Sequence, residues 1–144
     1  RSVFPVILTP YVHRIQYYET DQMAIVHHTN YIRWFEEARI EWMRQNGYGC
    51  RELEAQGLII PVVDASAKYL RSVRFDDEVE IVATLTAFTG VRMAFDYTVR
   101  FVSDGAVAVT GHTTHCFVDA NQTPLSVKHR NPALYAALKS LVGV

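Results

Sequence analysis

The pattern of hydrophobic and polar residues divides the chain into a helical part and a strand-rich part. Between residues 30 and 45, apolar residues recur three and four positions apart, which predicts one amphipathic helix of about four to five turns. Thr29 or Asn30 suits the N-cap, and Gly47 suits the left-handed position after the last turn. One stripe of this helix is strongly aromatic, so another element must cover it. The stripe contains Tyr31, Phe35, Ala38 and Trp42.

From Ile60 onward, apolar and polar residues alternate, and a period of two predicts strands. A turn signal at 103–105 predicts a hairpin, and a further strand over 11–18 precedes the long helix. Because the connections between the later strands are short, we expect an antiparallel meander with one face on the helix. The pattern predicts an α+β domain of five strands around one helix. The later strands cover residues 63–69, 78–85, 93–101 and 106–118.

The two ends of the chain and the segment after the long helix carry weaker local signals. Residues 1–10 are mixed and contain two prolines, which indicates an irregular arm. Residues 50–56 predict a short helix that stops at Gly57. Asn131 and Pro132 suit the N-cap and first position of a closing helix. No linker interrupts the pattern, so we predict a single domain over residues 1–144.

Composition narrows the possible partners and the compartment. The chain is 49% hydrophobic and 20% charged, which is typical of a globular domain with its own core. A net charge of −1 gives no general attraction to nucleic acid or to an anionic membrane. No apolar run approaches the roughly 20 residues of a membrane span, and the first residues lack a signal-peptide layout. Cys50 and Cys116 have no zinc spacing, so we expect a cytoplasmic protein with reduced thiols.

The histidines of the last predicted strand resemble a metal pair only by their spacing. His112 and His115 are three positions apart, and such positions on a strand point to opposite faces of the sheet. We therefore predict that the chain holds no metal at this point. Arg39 lies beside the aromatic stripe of the helix, where a buried arginine requires a carboxylate partner.

Asp21 is the candidate for chemistry, because it precedes the long helix. A carboxylate near the first helical amides lies beside unpaired N–H groups and the positive end of the helix dipole. Acyl transfer needs this combination, since the amides hold a developing oxyanion while the carboxylate activates water or attacks directly. A loop or capping role for Asp21 is the alternative.

The motif Asp21-x-x-Ala24-x-Val26-x-His28-x-x-Tyr31, with Phe35-Glu36-x-Ala38-Arg39 after it, resembles the 4-hydroxybenzoyl-CoA thioesterase family. More narrowly, it resembles the acyl-CoA thioesterase branch associated with the Tol–Pal gene cluster. The resemblance covers about residues 11–119 and implies the hotdog fold, in which a five-stranded antiparallel sheet wraps a long helix. Ala24 stands where that family usually has glycine, and the change costs energy if the position needs a positive φ.

The resemblance implies hydrolysis of an acyl-CoA to a free acid and CoA, with Asp21 as general base or nucleophile. It further implies an oxyanion hole at the His28 and Thr29 amides, with Tyr31 and Ala24 also near the substrate. No metal or other cofactor is implied, since coenzyme A is part of the substrate. A homodimer or homotetramer with sites across the subunit boundary is expected. Two alternatives are a hydratase or dehydratase that uses His28 as base, and a domain that binds acyl groups or protein partners without catalysis.

Overall fold

The computed structural model describes residues 8–144, so most of the arm predicted for residues 1–10 lies outside the described residues. Within these residues, five strands and four α-helices follow one another. The strands are β1 (Tyr11–Arg14), β2 (Val62–Tyr69), β3 (Glu78–Phe88), β4 (Arg92–Phe101) and β5 (Val107–Cys116). The helices are α1 (Asn30–Gln45), α2 (Cys50–Ala55), α3 (Val127–Arg130) and α4 (Pro132–Leu141).

Helix α1 is the predicted amphipathic helix, and its aromatic stripe is buried as expected. Thr29 is the N-cap, but it makes no capping hydrogen bond with its side chain. Gly47 follows the helix with φ +84° and donates its N–H to the carbonyl of Arg44 at 2.9 Å. Burial of the stripe supplies the main drive for this helix to pack on the sheet. The buried residues are Tyr31, Trp34, Phe35, Ala38, Arg39, Trp42 and Met43.

The five strands form one antiparallel sheet in the order β1-β3-β4-β5-β2. The predicted meander holds for β3, β4 and β5, but it is wrong for β2, which pairs with β5 at the far edge. The eight residues between β2 and β3 can span up to about 26 Å, while the three strand spacings between them need only about 14 Å. A short connection was therefore compatible with both topologies.

The ends of β1 and β5 also differ from the predicted boundaries, and one short helix was not predicted. Strand β1 ends at Arg14 rather than at residue 18, because Tyr17–Glu19 forms a 3-10 turn closed by the Glu19 side chain on the Gln16 N–H. Strand β5 ends at Cys116, and the short α3 precedes the closing helix. The closing helix itself is confirmed, since the Asn131 side chain accepts the Leu134 N–H at 3.1 Å.

The contact between α1 and the sheet fixes where the helix lies along the strands. The Phe35 ring stacks on Tyr97 at 4.5 Å between centroids and packs directly over Gly111. A Cβ atom at Gly111 would overlap that ring, so glycine lets the helix approach the sheet closely. Trp42 meets Phe95 edge-on at 5.1 Å, about two turns further along the helix. Within residues 8–144, no helix combines the length and apolar character needed to cross a membrane.

Candidate active site

Asp21 lies in a tight turn whose two ends are joined by a bridge between Thr20 and Val26. Its Oδ1 accepts the Met23 N–H at 2.8 Å, and its carbonyl accepts the Ala24 N–H at 2.9 Å. Its own N–H donates to the carbonyl of Ile25 at 3.0 Å. Only the bond from Met23 involves the carboxyl group, which is therefore held by Oδ1 alone. Within residues 8–144, Oδ2 has no hydrogen-bond partner and remains available for chemistry.

Ala24 occupies the left-handed region of the backbone, with φ +62°. Its carbonyl accepts the Arg74 guanidinium at 3.3 Å, which ties the turn to the segment before β3. The position therefore does require a positive φ, the condition under which alanine is costlier than glycine. The turn that carries Asp21 therefore contains a strained backbone conformation at Ala24.

Glu19 is a buried carboxylate that sequence reasoning did not assign to the site. Its Oε1 contacts His13 Nε2 and accepts the Gln16 N–H, both at 2.8 Å, while Oε2 accepts the Trp34 indole N–H at 2.7 Å. Burial alone would raise the pKa of Glu19, but the hydrogen bonds from Gln16, His13 and Trp34 together hold it below its usual value. In the sequence, only the Gln16-to-Glu19 spacing, a weak form of a capping box, indicated that the Glu19 side chain would bond to the backbone.

The backbone of Glu19 joins the Asp21 turn to the start of α1. Its carbonyl accepts both the His27 N–H and the Asn30 side-chain amide, each at 2.9 Å. The buried Glu19 side chain is held in turn by Trp34 of α1. The turn is thus anchored on the helix that it precedes, and its position relative to the first helical amides is fixed.

His28 presents the backbone amide that is available at the N-terminus of α1. Within the described part of the chain its N–H has no acceptor, whereas the Thr29 N–H donates to His27 Nδ1 at 3.3 Å. The His28 carbonyl accepts the Tyr69 hydroxyl at 3.2 Å. Tyr69 therefore orients the His28–Thr29 peptide from β2, next to the peptide that carries the His28 N–H. The positive end of the helix dipole lies at the same place.

A cleft of about 210 Å³ brings three of the predicted site residues together. Asp21, His28 and Tyr31 line it, whereas Thr29 and Ala24 do not. Tyr31 is 3% exposed, and its burial raises the pKa of its phenol to about 12, so the hydroxyl stays neutral. The remaining walls come from the turn and from the end of β2 with the residues after it, and the sequence did not predict that these segments meet because no local pattern joins them. They are Met23, Ile25, Val26, Tyr69, Leu70, Arg71 and Ser72.

The two histidines of β5 lie on opposite faces of the sheet, as predicted. His112 is partly exposed and pairs with Asp96 at 2.6 Å, while His115 is buried and bonds to Thr113 at 2.8 Å. Among residues 8–144, no group of three His, Cys, Asp or Glu side chains is arranged to hold a metal ion.

Comparison with known proteins gives this arrangement a family. Residues 15–138 match the thioesterase-like superfamily. The chain belongs to that family. A protein of Aquifex aeolicus, provisionally named an esterase, is 39% identical over 75% of this chain and 83% of its own length. The acyl-CoA thioester hydrolase YbgC of Escherichia coli O6:H1 is 29% identical over 57% of this chain and 61% of its own.

The solved structures agree with the family. The DHNA-CoA thioesterase from Staphylococcus aureus superposes with a TM-score of 0.86 at 26% identity, over 90% of this chain and 87% of that one. The predicted hotdog fold is confirmed, and so is the enzyme class of thioester hydrolase at the level of the family. Membership of the Tol–Pal-associated branch stays a prediction.

Proposed function

We propose that this protein hydrolyses acyl-CoA thioesters to a free acid and CoA, with Asp21 as general base or nucleophile. The names of the related YbgC hydrolase and of the similar DHNA-CoA thioesterase support acyl-CoA as the substrate class. One observation supports the site most directly. Asp21 and His28 line one cleft at the positive end of a sixteen-residue helix, and neither Asp21 Oδ2 nor the His28 N–H has a hydrogen-bond partner among residues 8–144.

In the general-base route, Asp21 Oδ2 takes a proton from a water molecule, and the water oxygen bonds to the thioester carbonyl carbon. The carbonyl oxygen becomes an oxyanion and accepts the His28 N–H. When the oxyanion re-forms the carbonyl, the carbon–sulfur bond breaks, and the thiolate recovers a proton from Asp21. In the nucleophile route, Oδ2 itself bonds to the carbonyl carbon and expels the thiolate. Water then hydrolyses the resulting anhydride.

The walls of the cleft suit the two ends of such a substrate. Met23, Ile25 and Tyr31 offer apolar surface to an acyl group next to the reacting carbonyl. Arg71, at the rim beyond β2, offers a guanidinium to a phosphate of the nucleotide end. No metal or other cofactor takes part in either route, because the carboxylate and the helix amide supply both functions.

A pair of matched variants tests this proposal. Asp104 is a second aspartate that caps a turn through Oδ1, on the Ala106 N–H at 2.9 Å, far from the cleft in sequence. Asp21→Asn should lower thiol release from a panel of acyl-CoAs by at least about 100-fold, while Asp104→Asn should keep it within about twofold. Circular dichroism should show both variants folded. Near-normal turnover in folded Asp21→Asn would contradict the assignment, and no turnover by the wild type would favour a non-catalytic acyl-binding domain.

A further inference from the structure

A second cavity, of about 180 Å³, opens between α1 and α2 and shares no lining residue with the Asp21 cleft. Its walls are mostly apolar and come from α1, α2, the segment before β2 and the start of β4. An apolar cavity of roughly 150 Å³ accommodates a benzene molecule, so this one has room for a small apolar group. The apolar lining includes Ile40, Met43, Leu53, Leu58, Ile60 and Met93.

Arg39 supplies a buried positive charge to this otherwise apolar wall. The residue is 8% exposed, and its Nη1 reaches only the Tyr97 hydroxyl, at 3.5 Å. The Glu36 carboxylate stands 4.0 Å away with a side chain that is 60% exposed, which is too far for a hydrogen bond. No other carboxylate among residues 8–144 forms an ion pair with Arg39. None of the Arg39 nitrogens is both fully buried and unpartnered, and the residue lines the cavity, so its unpaired N–H groups face a space where a further anion can join them.

We propose that this cavity binds a carboxylate carried on a small apolar group. The planar guanidinium fork of Arg39 matches a carboxylate in a bidentate contact, and the apolar walls match a ring or a short chain. Glu36 and Glu54 at the rim disfavour ligands with several negative charges, such as CoA itself. A monocarboxylic acid, the class of product that the proposed hydrolysis releases, fits both conditions.

The carboxylate that binds Arg39 can belong to either of two ligands. One is a free acid, and the other is a dicarboxylic acyl-CoA whose far carboxyl group reaches the cavity. Binding to the cavity does not depend on the hydrolysis, so it can be measured in Asp21→Asn protein. A failure of the proposed reaction and a failure of this site are therefore distinguishable.

The methionines of the chain make the two sites separately visible. Of the three, Met23 lines the Asp21 cleft, while Met43 and Met93 line the Arg39 cavity. In protein labelled with ¹³C at the methionine methyls, benzoate or hexanoate should shift the Met43 and Met93 signals saturably and leave Met23 in place. Benzyl alcohol and hexanol, which lack the charge, should bind at least about 10-fold more weakly.

Variants of α1 test the role of the guanidinium. Arg39→Met should weaken benzoate binding at least about 10-fold, whereas Arg44→Met, which removes an exposed arginine of the same helix, should leave it unchanged. If Arg39→Met does not fold, Ile40→Trp, which fills the mouth of the cavity, should abolish the Met43 and Met93 shifts. Equal binding of acid and alcohol, or unchanged binding in these variants, would overturn the proposal.

A dicarboxylic acyl-CoA separates the two sources of the carboxylate. Shifts of Met43 and Met93 with benzoate assign the cavity to a free acid. Shifts with the dicarboxylic acyl-CoA alone, accompanied by Met23, assign it to the far end of a bound substrate. If neither benzoate nor the dicarboxylic acyl-CoA shifts the Met43 and Met93 signals, the proposal is wrong.

Discussion

At the scale of single residues, Ala24 marks the strain in the turn that carries Asp21. An alanine at φ +62° costs about 1–2 kcal/mol in the folded state, and part of that cost is offset by the lower chain entropy of unfolded alanine. We expect Ala24→Gly to raise the free energy of unfolding by about 0.5–1 kcal/mol. Urea unfolding measures this change.

The control for Ala24→Gly is the same substitution where the backbone is ordinary. Ala136 is exposed within α4, and Ala136→Gly should lower the free energy of unfolding by about 1 kcal/mol. Destabilisation by both glycines would mean that the Ala24 turn is not strained.

His115 is the residue that should make stability depend on pH. Burial lowers the pKa of His115 to about 4, and the nearby Arg39 charge acts in the same direction, while Asp64 opposes it. Between pH 6.5 and 4 the unfolded chain therefore binds a proton that the folded chain does not. The stabilisation is fully present above pH 6.5 and is lost as the pH falls toward 4. We expect a loss of about 2 kcal/mol between pH 7 and 5.

Urea unfolding at several pH values checks this expectation. His115→Gln should remove most of the slope between pH 7 and 5, whatever it does to stability at pH 7. His112→Gln, on the exposed face of the same strand, should keep the slope. An unchanged slope in His115→Gln would assign the pH dependence to other groups.

At the scale of elements, the packing of α1 on the sheet depends on Gly111 under Phe35. A methyl group at Gly111 must push the ring and the helix away, and overpacking of this kind costs about 1–3 kcal/mol. We expect Gly111→Ala to lower the free energy of unfolding by that amount. In a Phe35→Leu background, where the ring is gone, the same change should cost less than about 1 kcal/mol.

The double-mutant cycle gives the coupling between helix and strand directly. Turnover of folded Gly111→Ala should also fall, since a shift of α1 moves the Asp21 turn and the His28 amide relative to Tyr69 and the β2 side of the cleft. Additive effects of Gly111→Ala and Phe35→Leu on stability would show that the two residues do not limit the approach of the helix.

At the scale of the whole molecule, β2 leaves an exposed edge along the sheet. Seven of its eight residues are exposed, and an unprotected edge of this length favours pairing with another strand. We propose that two copies pair through β2 into a homodimer, or into a homotetramer built from such dimers. Light scattering at micromolar concentration should give a multiple of the 16.4 kDa chain mass.

A lysine introduced on β2 tests whether this strand forms the contact between the two copies. Ser66→Lys in the middle of β2 should shift the mass toward the monomer, because the two copies would bring like charges together. Thr86→Lys, at a position of β3 that is also exposed, should leave the mass unchanged. A monomeric wild type would contradict the proposed assembly. The cytoplasmic location stays a prediction.

The sequence by itself determined the elements that depend on local periodicity and caps. The stripe from Tyr31 to Trp42 predicted α1, Gly47 its end, and Asn131 the start of α4, because the spacing of side chains on a helix is set within the helix. The fold class followed from the order of these elements, the place of Asp21 before α1 made it the candidate for chemistry, and the resemblance added roles for His28 and Tyr31.

Only the tertiary structure decided which distant segments meet. The place of β2 beside β5, Tyr69 on the His28 carbonyl and the buried Glu19 beneath the Asp21 turn join residues that no local period relates. The left-handed backbone at Ala24 and the occupied Thr29 amide likewise depend on the closed turn. Contacts of this kind form only when the whole core packs, since each is too weak to hold its segment in place alone.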